Sequence, residues 1–126
     1  MTMTAIILAV LVLYVVQLFL QEMSHLGVNP KLLLGNRDNL PEQSVVSARL
    51  GRAKNNMMEA LPIFLGLALV ALIKDGDVGD ANTGALVFLI MRILYVPAYA
   101  SGIRSVRSLI WTVSMLALGM MALTLI

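Results

Sequence analysis

The two ends of this chain constrain it most: Met1 to Gln21 is a run of 21 residues without a charge, and Ser108 to Ile126 is another of 19. A helix needs about 20 apolar residues to cross a hydrocarbon layer about 30 Å thick, so both runs are candidate membrane spans. Two further runs reach that length when one charge is admitted in each. With Glu59 allowed, Asn55 to Ile73 gives 19 residues, and with Arg92 allowed, Ala81 to Ile103 gives 23. The sequence therefore predicts an all-α chain, an integral membrane four-helix bundle. It is read as a single domain over 1–126 with spans at about 2–24, 45–73, 81–101 and 106–126.

Composition agrees with that reading and excludes others. Charged residues make up 13% of the chain, against about 25% in soluble domains, and hydrophobic residues 60%. Such a chain is neither disordered nor a soluble globule. The net charge of +2 offers no dense basic face for nucleic acid. With no cysteine there is no disulfide, thiolate metal site or thiol nucleophile, so any thiol chemistry must come from a bound small molecule. His25 has no Cys or paired His within metal spacing, and no metal is expected. The first run lacks the basic n-region of a cleavable signal, so the first helix is expected to stay in the mature protein.

Loop chemistry sets the expected orientation. Gly27 to Gln43 contains Asn29-Pro30, Gly35-Asn36 and Asn39-Leu40-Pro41 and reads as a loop, with Ser44 or Ser47 able to cap the next helix. Lys74 to Asp80 holds Asp75-Gly76-Asp77, and Ser101 to Arg107 is a short basic link. Lys31, Arg37, Arg49, Arg52 and Lys54 flank the first loop and Arg104 and Arg107 the third, whereas the second has Lys74 beside three aspartates. The positive-inside rule puts the first and third loops in the cytoplasm and both termini on the other side.

An ionisable residue within a span marks a functional site unless it is paired or faces a cavity. Arg49, Arg52, Asn55, Asn56 and Glu59 fall within about 120° of one helix face at about 100° per residue, and Arg92, Tyr95 and Tyr99 within about 60° of another. Both stripes start from the cytoplasmic side, next to Arg104 and Arg107. The plain alternative is a buried Glu59–Arg92 ion pair that holds two helices together. Yet Arg49, Arg52, Arg92, Arg104 and Arg107 stand against Glu59 alone, so a pocket built from them would take an anion. A ligand with carboxylates and one ammonium group suits it best, with arginine forks on the carboxylates, Glu59 on the ammonium and asparagine amides on peptide groups.

The run Arg49-Leu-Gly-Arg52-Ala53-Lys-Asn-Asn56-Met-Met-Glu59-Ala-Leu-Pro62-Ile-Phe64 resembles the second-helix motif R-x-x-R-A-x-x-N-x-x-E-x-x-P-x-F of the membrane-associated proteins in eicosanoid and glutathione metabolism, the MAPEG family. Arg92-Ile-Leu-Tyr95-Val-Pro-Ala-Tyr99, followed by Arg107-Ser108, looks like the family's third-helix end and fourth-helix start. The resemblance, to a bacterial-type member, implies a homotrimer in the bacterial inner membrane that binds glutathione between subunits near the cytoplasmic face. It implies a glutathione transferase-like activity on an apolar small-molecule substrate arriving through the membrane lipid. Arg52, Asn56 and Glu59 match glutathione contacts or their supports, and Tyr99 a ligand-contacting tyrosine. Tyr95 stands where some members have histidine. Arg107 and Ser108 match the pair beside the glutathione sulfur and are the candidate catalytic residues. Arg49, Asn55, Arg92, Arg104 and Gln21 complete the candidate set. Asn55 and Gln21 stand where a member offers arginine, and Met57 where it has aspartate.

Other features read as structural. Trp111 suits an interfacial anchor, Pro97 a kink, the methionines packing, and Gln17 a bond across helices. We read no small-xxx-small motif as a packing signal. The rival functions are a catalytically silent membrane protein and a small proton-coupled multidrug transporter, although such transporters resemble one another in an essential Glu in the first span, which is absent before Glu22 here. The orientation is checked by C-terminal fusions in a bacterial host. Alkaline phosphatase is expected to be active there and a fluorescent protein dark, and the reverse pattern would invert the topology.

Overall fold

The computed structural model of the chain describes residues 1–27, 29–74 and 78–126. These form α1 (Met3–Leu26), α2 (Pro30–Leu34), α3 (Val45–Ile73), α4 (Gly79–Ser101) and α5 (Arg104–Leu125). All but α2 are long and apolar enough to cross a membrane, and the protein is an all-helical integral membrane bundle with four spanning helices. The turn expected at Asp75-Gly76-Asp77 lies outside the described residues.

Two connections differ from the sequence reading. The stretch read as a loop from Gly27 to Gln43 contains α2, because the Asn29 side chain accepts from the Lys31 N–H at 3.1 Å and Pro30 occupies the first helical position, where its missing N–H costs nothing. Arg37 pairs with Glu22 at 3.0 Å and His25 Nε2 donates to the Pro41 carbonyl at 2.8 Å, which ties this segment to the end of α1. Of the two candidate caps Ser44 is the one used, accepting from the Ser47 N–H at 3.1 Å. The basic link is only Gly102-Ile103, so Arg104 and Arg107 belong to the first turn of α5. Gly102 ends α4 at φ 78, and a Cβ there would also meet the Arg49 guanidinium at 2.7 Å.

α3 and α4 run through the middle; α1 packs chiefly on α3 and α5 chiefly on α4. Lipid tails are as apolar as leucine, so association depends on close packing more than on hydrophobic burial. The buried face of α3 carries Ala53, Met57, Ala60, Phe64, Ala68 and Ala71 at helical spacing, and that of α4 carries Ala81, Gly84, Ala85 and Phe88. Ala81-xxx-Ala85 is thus a small-xxx-small pair after all, at a helix contact. Phe64 stacks on Phe88 with centroids 4.8 Å apart, and Ile6, Val10 and Met121 complete this core. Large aliphatic side chains such as Leu8, Val12, Leu116 and Leu123 point outward, as lipid-facing residues do. At the end away from the polar stripes, Lys74 Nζ donates to the Leu125 carbonyl at 2.6 Å and Asn82 to that of Met1 at 2.9 Å.

Helices α4 and α5 approach closely at Gly84, where a Cβ would lie 2.8 Å from Met121 Cγ and 3.0 Å from the Ala117 carbonyl oxygen. Gly84→Val is expected to destabilise the bundle by about 1–3 kcal/mol and lower its melting temperature in detergent. Gly119→Ala, whose Cβ would meet nothing within 4 Å, is expected to melt like the wild type.

Candidate functional site

A cleft of about 590 Å³ opens between α3, α4 and α5, at the end of the bundle where α3 begins and α4 ends. Its depth follows from helix length. The 29 residues of α3 rise about 1.5 Å each and so outrun a hydrocarbon layer about 30 Å thick. The uninterrupted apolar stretch from Ala60 to Ile73 covers only about 21 Å of that layer, so the turn carrying Glu59 lies inside it. There an ionised side chain needs a polar cavity, and Glu59 lines the cleft.

Around the cleft, charge and aromatic rings alternate. Arg92 on α4, only 1% exposed, donates from Nη1 to Asn56 Oδ1 on α3 at 2.8 Å. Its guanidinium carbon lies 4.4 Å from the Tyr95 ring centroid. Tyr95 meets Tyr99 edge-on, centroids 5.6 Å apart. At Tyr99, Arg107 approaches the ring to 4.7 Å and Arg52 Nε donates to the hydroxyl at 3.2 Å. Cation–π contacts of this kind strengthen where water is excluded, so the rings hold the guanidinium groups in fixed places. The ion pair weighed between Glu59 and Arg92 is not formed; among the described residues the ion pair present joins Arg37 to Glu22. Arg92 takes the Asn56 amide instead, and Glu59 stays in the cleft.

The expected site residues divide between the cleft and its surroundings. Arg52, Asn55, Asn56 and Glu59 from α3, Tyr95 and Tyr99 from α4, and Arg107 and Ser108 from α5 all line it. Arg92 stands behind the wall, holding Asn56. Arg49 does not line the cleft: its Nη1 donates to the Ala100 carbonyl at 3.3 Å, where a cation also suits the negative end of α4. Gln21 is buried against Gly51, whose Cβ would lie 3.6 Å from the glutamine Cγ, and it too is outside the cleft. Arg104 is exposed on the first turn of α5 and is not among the residues that line the cleft. Trp111, read from the sequence as a membrane-interface anchor, is part of the wall, as is Thr112, which the sequence reading passed over. The signal was present in the spacing, since Trp111 and Thr112 follow Arg107 and Ser108 by one helical turn.

The cleft continues into a hollow of about 180 Å³ where Asn56, Glu59 and Trp111 meet the apolar side chains of Ala60, Ile63 and Met115. With Arg52 and Arg107 against Glu59, and Arg92 behind, the region carries an excess of positive charge and many N–H donors around one carboxylate. That arrangement suits an anionic ligand bearing one cationic group. Among the described residues, no group of three His, Cys, Asp or Glu side chains is placed to hold a metal ion.

No curated protein and no solved structure gives a significant match to this chain. The family model of the MAPEG family matches residues 1–126, the whole chain, and the protein belongs to that family.

Proposed function

We propose that the protein is a glutathione-binding membrane transferase, which conjugates, isomerises or reduces apolar electrophiles. MAPEG members are glutathione-related membrane enzymes or binders. The observation that carries the reading is the convergence of Arg52, Arg107 and Glu59 on one cleft around Tyr99. The donor set fits the ligand. Glutathione has two carboxylates, one ammonium and two peptide groups, and the cleft offers guanidinium forks, one carboxylate and the Asn55 and Asn56 amides.

In this reading Arg52, oriented by the Tyr99 hydroxyl, clamps a carboxylate and Glu59 takes the ammonium group. Bound glutathione supplies a thiol nucleophile, which attacks as the thiolate. Arg107 is the cation beside the sulfur; a guanidinium is a donor and not a base, so it lowers the thiol pKa by charge and donated hydrogen bonds. The Ser108 hydroxyl adds a further donor. An apolar electrophile arrives laterally through the lipid and lies along the hollow at Ala60, Ile63 and Met115. The cleft is open on one side, and the family resemblance supports a homotrimer in which a neighbouring copy closes it. The positive loops support a cytoplasmic-facing site in a bacterial inner membrane.

Calorimetry on detergent-purified protein tests the binding step. The wild type is expected to bind glutathione, with Arg52→Ala and Glu59→Gln weakening it about tenfold or more while the unliganded melting temperature changes little. If both variants bind normally, the polar face of α3 is not the site. The chemical step has its own test. Arg107→Ala is expected to raise the pKa of the bound thiol by about one to two units and cut conjugation of an aryl halide near pH 7 about tenfold to a hundredfold, largely sparing affinity. Raising the pH regenerates the thiolate without the arginine, so much of the rate returns. An Arg107→Ala variant fully active at neutral pH removes Arg107 from the mechanism.

A further inference from the structure

Arg92 does not line the cleft, yet its single hydrogen bond determines what the cleft wall can recognise. A guanidinium has five N–H donors and no acceptor. Of these, Nη1 donates to Asn56 Oδ1 at 2.8 Å, while the buried Nε and Nη2 have no hydrogen-bond partner among the described residues. The opposite orientation of the amide would set its NH₂ against a donor-only group and leave a buried cation without any acceptor, at a large desolvation cost. The Asn56 oxygen therefore faces Arg92. The NH₂ then faces away from Arg92, and Asn56 lines both the cleft and its apolar hollow.

We infer that Arg92 is a positioning residue that locks the Asn56 amide with its NH₂ toward the ligand, so that this part of the wall donates hydrogen bonds only. Resting on the glutathione reading above, this adds a rule of specificity. The Asn56 NH₂ donates to a carbonyl or carboxylate of the ligand and repels an N–H or ammonium group at that point, which leaves the ammonium to Glu59 one turn further along α3. The hydrogen bond to a guanidinium also polarises the amide and strengthens its donation. Asn55 lines the cleft as well, but among the described residues no cation donates to its amide.

The test is a double-mutant cycle read by calorimetry with glutathione on the full chain in detergent. Arg92→Met and Asn56→Ala are each expected to lower affinity about tenfold, and the double variant no further than Asn56→Ala alone, because Arg92 acts through Asn56. Arg92→Lys, also a donor-only side chain, is expected to retain most of the affinity. Additive losses would overturn the proposal, since Arg92 would then act by its charge or by stabilising the fold. Asn56→Asp separates orientation from binding. A carboxylate facing Arg92 is expected to keep the unliganded melting temperature at or above that of the wild type, while affinity falls at least as far as in Asn56→Ala. An Asn56→Asp protein that melts below the wild type would equally sink the proposal. A wild type that binds no glutathione defeats the functional reading, and the Asn56→Asp melting temperature then decides the orientation by itself. If Arg92→Met does not fold, Arg92→Lys and Asn56→Asp carry the test.

Discussion

A guanidinium keeps its charge at any pH a cell reaches, and Arg92 holds one at 1% exposure within a bundle surrounded by lipid. An isolated ion there is expensive, so its neighbours are arranged to compensate it. Tyr95 and Phe88 present ring faces at 4.4 and 6.0 Å, and Asn56 supplies the acceptor. Those contacts tie α3 to α4 at the base of the cleft and line up the two tyrosines. Tyr99 in turn meets both Arg52 and Arg107, so the residues that line the cleft are placed by a chain of contacts that begins at a residue outside the cavity.

Helix ends raise the same difficulty on a smaller scale, because a carbonyl without a partner in or near hydrocarbon is costly. Cationic side chains meet several of these carbonyls. Arg49 reaches Ala100, Lys74 reaches Leu125, and Arg37 reaches Leu33. Part of the basic character that looked in the sequence like ligand-binding potential is spent on closing helices. Of five candidate arginines, Arg52 and Arg107 line the cleft, Arg49 is spent on a helix end, Arg92 holds Asn56 and Arg104 is exposed.

Residue type and spacing made the spans, the polar face of α3 and the Arg92–Tyr95–Tyr99 stripe legible, because charge is so disfavoured in a bilayer that each exception is informative. Partner choice was not legible. Glu59 and Arg92 are the obvious pair by charge, and only the packing of α3 on α4 shows that Asn56 takes the guanidinium. Asn29-Pro30 reads as turn chemistry and also as a cap followed by a first helical residue, and one turn of helix is too short for periodicity to decide between them. Trp111 was assigned by its position along the span, although its place one turn after Arg107 puts it on the cleft side. The contact at Gly84 depends on which face of α4 meets α5, which a single apolar helix does not reveal.

The two-residue link Gly102-Ile103 divides the cleft into a local half and a distant half. Tyr99 and Arg107 are eight positions apart in the chain, so a short hairpin brings them together with little loss of chain entropy. The contacts from α3 span far longer separations, 36 residues for Asn56 to Arg92 and 47 for Arg52 to Tyr99. A molecule seated across the cleft joins an element that closes on itself to one held only by tertiary docking. Occupancy thereby resists the departure of α3 from the hairpin, and the free energy of binding adds to the cohesion of the bundle by mass action.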